Sequence, residues 1–363
     1  MSADAVRALV RRDAALPALA ALLSRDRLSE LLGGEVVPRR LRYKPGSSIV
    51  VAVDLDGGRR WVAQFGDHAK ARKSMQRAAR AGWQVTETEM AGVVTGPALA
   101  DRRLVRIVRR LQHRHPEVLA GASVVRHNPH RRLVLRSPDA DGDRFVKVGS
   151  PEMPEAVRRA LHDARVPALV PVHLTGHVGS TPWWGCGDLT VAGATDAVEA
   201  AAGALAALHD VRRPAAADDA RGELDAAVRG IATIAPVAAR PAQRIAAGLR
   251  LAGGQAQLHG DFSADQVLVG DDGIRLVDFD RARIGPAERD LGSFAADARV
   301  RGDGGIEAAL WCGYTGAAID ERALAHWTAF GLLTRALEPF RTLQPDWPAA
   351  VERIVGLAAE ASR

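Results

Sequence analysis

The two halves of the chain carry different rhythms of apolar and polar positions. Beyond about residue 196, apolar residues return at spacings of three and four, which predicts helices over 197–209 and over about 218–232, 238–252, 287–300, 320–338 and 346–361. The first is alanine-rich, with Asp196 placed as its N-cap and Pro214 beyond its end. The front half shows short apolar runs broken by turn residues. Leu41-Arg42-Tyr43-Lys44-Pro45-Gly46-Ser47-Ser48-Ile49-Val50-Val51 returns 84 residues later as Val125-Arg126-His127-Asn128-Pro129-His130-Arg131-Arg132-Leu133-Val134-Leu135, and each copy reads as strand, turn, strand. Each is followed at the same offset by another apolar run, Trp61-Val62-Ala63 or Phe145-Val146-Lys147-Val148. This faint duplication predicts two related β-units; the alternative is a chance likeness of two hairpins.

One β-like stretch interrupts the helical half. Val267-Leu268-Val269 and Ile274-Arg275-Leu276-Val277 flank a Gly270-Asp271-Asp272-Gly273 turn, the pattern of a β-hairpin, which returns its free ends to one place. Gln266 and Asp278 are therefore expected side by side, with Asp261 of His259-Gly260-Asp261 facing the same opening. That trio suits magnesium-dependent phosphoryl transfer. A loop carboxylate accepts a hydroxyl proton, while an amide oxygen and a second carboxylate are hard donors for Mg²⁺. A lone His-Gly-Asp is a weak signal, and Val-Asp-Phe-Asp is commonly a solvated strand end; their ordered occurrence around a hairpin is what carries the reading.

On these residues the segment resembles the aminoglycoside phosphotransferase and choline kinase group of small-molecule kinases. That group shows His-Gly-Asp, an Asn five residues on, an Asp-Phe or Asp-Trp strand end, and Gly-Asp-Pro-x-x-Asp-Leu. Here Gln266 replaces the Asn, as in the maltokinase-like branch, and Gly285-Pro286-Ala287-Glu288-Arg289-Asp290-Leu291 keeps only the second aspartate. The resemblance implies an α+β, two-lobed protein-kinase-like fold with a β-rich N-terminal lobe and a mainly helical C-terminal lobe. It implies ATP and Mg²⁺ as cofactors, Asp261 as catalytic base, and Gln266 and Asp278 as metal ligands. His259 is a further candidate in the catalytic loop, as a brace or a plain structural histidine. Asp290 would steady that loop, the alternative being a first-turn helix carboxylate.

The chain has four lysines, Lys44, Lys70, Lys73 and Lys147, against 45 arginines. Lys147, kept in a β-type run, fits the lysine that reaches ATP phosphates; the alternative is a solvent-facing lysine on an edge strand. Its acidic partner is expected from the next helix, with Glu155 preferred over Glu152 because it follows Pro154 in the periodic part; the alternative for either glutamate is a helix-start carboxylate answering the macrodipole. Val166–Leu174 and the stretch through Trp183 and Trp184 read as the last small-lobe strands and a hinge near 183–188, with Trp184 offered as part of the adenine wall or as a core aromatic. The expected division is 1–187 for the nucleotide lobe, of which 1–115 is a degenerate repeat and 116–187 binds ATP, and 188–363 for the helical catalytic and acceptor lobe.

Charge sharpens the picture. Residues 1–189 carry 31 Lys and Arg against 19 Asp and Glu, while residues 190–363 carry 18 against 24. A basic front half suits a nucleotide and an acidic back half suits a neutral or cationic acceptor, with Asp297, Asp303, Trp311 and Tyr314 as possible contributors. The scattered arginines show neither a zinc-finger spacing nor an RNA-recognition signature, so no nucleic-acid partner is expected. No signal peptide or apolar span is legible, and the two cysteines, Cys186 and Cys312, lack metal-ligand spacing, so a cytoplasmic enzyme without a membrane partner is expected. The predicted activity is phosphorylation of a hydroxyl on a sugar, amino sugar or aminoglycoside-like molecule. The alternative is a catalytically silent nucleotide-binding relative.

Overall fold

The computed structural model describes residues 3–192, 195–212, 219–251 and 253–363. Pro214 and the expected helix limits at 218 and 252 lie outside these described residues. Two compact units form, neither of them one continuous stretch. The first comprises Met1–Glu152, Pro171–Trp183 and Glu338–Pro348, and the second comprises Met153–Val170, Trp184–Leu337 and Ala349–Arg363.

The first unit holds two antiparallel five-stranded sheets. One is built from β1 (Val36–Lys44), β2 (Ser48–Leu55), β3 (Gly58–Phe65), β4 (Thr86–Glu87) and β5 (Val93–Pro97), in the order β1-β2-β3-β5-β4. The other is built from β6 (Ser123–Asn128), β7 (Arg132–Ser137), β8 (Arg144–Val148), β9 (Val172–Thr175) and β10 (Val178–Pro182), in the order β6-β7-β8-β10-β9. The order is the same, and so is the register: Tyr43 faces Ile49 as His127 faces Leu133, and Val50 faces Ala63 as Val134 faces Lys147. The duplication seen faintly in sequence is therefore a repeated topology. Lys147 lies in β8 between β7 and β10, so its strand is not an edge.

The copies differ in what covers them. Helix His68–Ala79, which follows β3, packs Ala71 and Ala78 against Trp61, Ala63 and Val94 of its own sheet. Helix Glu155–Asp163 stands at the corresponding place after β8, yet its apolar face of Val157, Ala160 and Leu161 belongs to the core of the second unit with Phe262, Leu276 and Phe294. Helix Val105–Arg114 covers the second sheet instead, through Val108 and Leu111 on Leu133, Leu135 and Val146.

The second unit is mainly helical, with Thr195–His209, Ala220–Ile234, Pro236–Gly248, Ala287–Arg301, Gly304–Gly313, Glu321–Arg335 and all but the first two residues of Trp347–Ala361 as its long helices. Asp196 lies inside the first turn of its helix rather than at the N-cap, because the helix already includes Thr195. Gly304–Gly313 escaped the spacing analysis: it is short and apolar along most of its length, and Asp303 caps it by accepting the Ile306 N–H. Helices Ala287–Arg301 and Glu321–Arg335 cross at glycines. A Cβ on Gly292 would lie 2.7 Å from the Trp327 backbone, and one on Gly331 would lie 2.8 Å from the Ala296 side chain.

Strands in this unit are β11 (Gly187–Asp188), β12 (Ala256–Leu258), β13 (Val267–Gly270), β14 (Gly273–Leu276) and β15 (Arg283–Gly285). β13 and β14 form the expected hairpin with β11 alongside, while β12 pairs with β15, so the hairpin is not the sole interruption of the helices. The segment 166–170, expected among the small-lobe strands, instead runs beside β14: Leu276 N–H donates to Pro167 O and Leu169 N–H to Leu276 O. Its apolar residues go to the nearest unsatisfied strand edge.

Candidate active site

The segment from β12 to β15 builds one loop system. His259 is fully buried, with its ring 4.4 Å from Phe279 and 5.7 Å from Phe262. Its Nε2–H donates to the Val277 carbonyl at 2.8 Å, which ties the loop to the strand end preceding Asp278. Sealed from solvent and bonded to backbone, His259 has the position of a brace rather than of a proton carrier. Gly260 follows at φ +88°, and a Cβ there would stand 1.9 Å from the Arg281 carbonyl oxygen, so only glycine fits.

Asp290 fixes this turn from behind. Its fully buried carboxylate accepts the N–H of His259 at 2.7 Å and of Gly260 at 2.9 Å. His209 Nε2–H donates to the same carboxylate at 3.2 Å, and His209 Nδ1 is 3.0 Å from the Tyr314 hydroxyl. Burial would raise the Asp290 carboxyl, but the His209 hydrogen bond and charge, the His259 charge and the Gly260 N–H hold it below the usual aspartate value. For Tyr314, burial first and then the charges of Asp210, Glu288 and Asp290 push the hydroxyl above the usual tyrosine range.

Asp261 emerges from this support with its side chain 41% exposed, and Arg281 Nη1 lies 3.6 Å from its Oδ1. Five residues on, Gln266 closes a short 3-10 turn and is 9% exposed. Its carbonyl accepts the Val277 N–H at 3.0 Å, which extends the hairpin register by one pair and brings Gln266 to the step before Asp278. Asp278 adopts the left-handed conformation, φ +69° and ψ +52°, which aspartate tolerates better than most residues and which turns the chain sharply at the strand end. Among the described residues no three His, Cys, Asp or Glu side chains gather as a self-sufficient metal cage. One carboxylate with one amide instead suits Mg²⁺, which binds through few protein ligands and retains water and phosphate oxygens.

The sequence profile of the phosphotransferase enzyme family matches residues 122–327, more than half of the chain and all of this loop system. The chain belongs to that family. No curated protein matches this phosphotransferase in sequence. Three solved structures share its protein-kinase-like fold at low identity. Spectinomycin phosphotransferase, in complex with ADP and spectinomycin, is 14% identical over 71% of this chain and 98% of its own, with a TM-score of 0.50. The choline kinase LicA of Streptococcus pneumoniae is 12% identical over 70% and 98%, with a TM-score of 0.50. An amicoumacin kinase in complex with AMP-PNP, Ca²⁺ and Ami is 12% identical over 70% and 93%, with a TM-score of 0.50.

The remaining candidates of the phosphotransferase fall as follows. Lys147 is half-buried in the middle of its sheet, opposite Gly179. Glu155 opens its helix, 70% exposed, with Arg158 at 3.4 Å. Glu152 lies 4.0 Å from His173. Trp184 lies under the Arg275 guanidinium at 4.7 Å and against the hairpin, where a Cβ on Gly270 would meet its ring at 2.9 Å. Of the proposed acceptor contributors, Asp303 is a helix cap, Tyr314 is held by His209, and Asp297 pairs with Arg301 at 3.2 Å while accepting the Ala264 N–H at 3.4 Å. Trp311 is 36% exposed. The role of His209 escaped the sequence, since a histidine closing an alanine-rich helix carries no local sign of the aspartate 81 residues away that it meets.

Proposed function

We propose that this protein transfers the γ-phosphoryl group of ATP to a hydroxyl of a small molecule in a magnesium-dependent reaction. The observation that carries the reading is the placement of Asp261: half-exposed, on a loop whose two preceding N–H groups are fixed by one buried carboxylate, with Gln266 hydrogen-bonded to the residue before Asp278. Asp261 orients the acceptor hydroxyl and takes its proton as the oxygen bonds to the γ-phosphorus and the bond to ADP breaks. Gln266 and Asp278 would hold Mg²⁺, which when bound would neutralise charge on the transferring phosphates. Lys147 would bind the α- and β-phosphates. Asp290, His209 and His259 act through the loop, keeping Asp261 in place.

The spectinomycin phosphotransferase with ADP and the amicoumacin kinase with AMP-PNP and Ca²⁺ support the nucleotide and divalent-ion parts of this reading. The acidic balance of residues 190–363 favours a neutral or cationic acceptor, and we assign it to sugars, amino sugars or aminoglycoside-like compounds. Both cysteines are exposed and free, which fits the reducing cytoplasm, where ATP is supplied. No described helix is long and apolar enough to cross a membrane.

The test is ATP consumption across a panel of sugars, amino sugars, aminoglycosides, macrolides, choline-like alcohols and anionic metabolites. Turnover of a neutral or amine-bearing alcohol that falls about 10²-fold or more in Asp261→Asn, with nucleotide binding kept, is expected. Wild-type turnover in Asp261→Asn would remove Asp261 from the chemistry. Turnover of anionic acceptors alone would replace the acceptor class.

A further inference from the structure

Helix Ala287–Arg301 carries a stripe that meets the loop before the hairpin residue by residue. Asp290, Phe294 and Asp297 lie four and then three positions apart, on one face of the helix. Asp290 holds the N–H groups of His259 and Gly260, Phe294 stacks on Phe262 with ring centres 5.2 Å apart, and Asp297 Oδ2 accepts the Ala264 N–H at 3.4 Å. Seven helical residues rise about 10 Å. Four extended residues, as from Gly260 to Ala264, reach roughly 13 Å at most, so the loop lies along the helix with little slack. Alternate loop residues meet the stripe, which leaves Asp261 between two anchored neighbours with its side chain 41% exposed.

The two carboxylates hold different ends of the loop. Asp290 fixes the turn behind Asp261, whereas Asp297 fixes the entry of the turn Ala264–Gln266. Ala264 is fully buried, so its N–H needs an acceptor from the chain, and Ser263 before it is extended at φ −160° and ψ +167°. The Gln266 N–H closes the turn on Ser263 O at 3.0 Å, and Gln266 O takes the Val277 N–H, so the exit is tied to the hairpin. Asp297 is itself held in place. Its Oδ2 also accepts Arg301 Nε–H at 3.2 Å, Arg335 Nε lies 3.9 Å from its Oδ1, and Arg335 Nη2 donates to Ser293 Oγ at 3.1 Å. Faced by the chain on both oxygens, this carboxylate has the position of a support rather than of an acceptor contact.

We propose that Asp297 is a positioning residue for the metal side of the reaction: by holding Ala264 it sets where the turn delivers Gln266, as Asp290 sets where the loop delivers Asp261. The proposal rests on the reading of Gln266 and Asp278 as the Mg²⁺ ligands. The base and the amide, five positions apart in sequence, are thereby referenced to one rigid helix, which fixes their spacing before any ligand arrives.

Titration calorimetry of the full chain with AMP-PNP, with and without Mg²⁺, tests the proposal through the gain in affinity that the ion confers. Asp297→Ala should cut that gain about tenfold or more, as loss of a group that orients a metal ligand commonly does, and leave the affinity without Mg²⁺ near wild type. Asp297→Asn should restore the gain, because an amide oxygen in the place of Oδ2 still accepts from Ala264 and Arg301. Asp297→Glu keeps the charge beside Arg301 and Arg335 but carries it one methylene farther, so it should lose the gain too, and it decides the matter if the alanine variant does not fold. Asp278→Ala checks the reading beneath: a wild-type gain there would remove the metal site and this proposal with it. A lowered gain in Asp278→Ala beside a wild-type gain in Asp297→Ala overturns this proposal alone, whether the variant then shows a lower melting temperature, as a merely structural residue would, or a higher KM for the acceptor. A gain lost as fully in Asp297→Asn as in Asp297→Ala would also overturn it, since the hydrogen bond to Ala264 would not be what matters.

Discussion

The Asp290 carboxylate accepts the backbone N–H of His259 at 2.7 Å, from a position 31 residues farther along the chain and wholly buried. Through this bond the first turn of helix Ala287–Arg301 sets the course of the loop that presents Asp261. Asp290→Asn preserves size but removes the charge and points an amide at one of the N–H groups. We expect kcat to fall about 10-fold to 10²-fold with the KM for ATP little changed, and stability to fall by about 2–4 kcal/mol. Steady-state kinetics beside urea unfolding measures both; a stability loss with unchanged kcat would leave Asp290 a merely structural residue.

Gly260→Ala tests the same loop sterically. The added methyl would overlap the Arg281 carbonyl, and φ +88° disfavours any side chain. A loss of about 2 kcal/mol or more in stability and a collapse of turnover are expected, measured by thermal melting and ATP consumption. A variant as stable and active as wild type would show that the loop can take another path.

At the metal position, Asp278→Ala removes the one proposed anionic ligand and should weaken Mg·ATP binding by about tenfold or more, whereas Gln266→Asn should be tolerated because the amide donor persists. Lys147→Ala should raise the KM for ATP. Equal calorimetric affinities for wild type, Asp278→Ala and Lys147→Ala would place the nucleotide elsewhere.

The pH dependence of stability should carry a signature of His130. Burial, opposed by Asp101 and assisted by Arg42, Arg103 and Arg102, lowers its pKa from 6.5 to about 4. The unfolded chain therefore binds a proton that the folded chain refuses between these values. The His130 contribution is fully present above pH 6.5 and is lost as pH falls toward about 4, by up to about 3 kcal/mol. His130→Asn, which keeps a residue tolerant of φ +63°, should flatten this part of the profile. Parallel wild-type and variant curves from urea unfolding at several pH values would refute the assignment. Asp101 acts lower. Burial raises its pKa, but His127 and His130 overcome this and bring it down to about 2, so its contribution is lost only as pH falls from about 4 through 2.

Local signals in the sequence were sufficient for most helices of the second half, though not for Gly304–Gly313, and for the β13–β14 hairpin and the loop carrying Asp261, because periodicity, turn glycines and short motifs act within a few residues. The duplication was legible too, as a register of apolar runs shared by Val50 with Ala63 and Val134 with Lys147. What tertiary structure alone decided was where similar local patterns go. Helix Glu155–Asp163 has an amphipathic face like that of His68–Ala79, yet its apolar stripe joins Phe262 and Phe294 of the second unit rather than the sheet it follows. Nothing in a stripe of Val157, Ala160 and Leu161 names its partner, since hydrophobic burial is non-directional. The same reason kept His209, Tyr314 and Asp290 apart on paper: their hydrogen bonds join residues 81 and 105 positions apart, and only the folded core brings a helix end, a loop and a first helical turn within 3.2 Å.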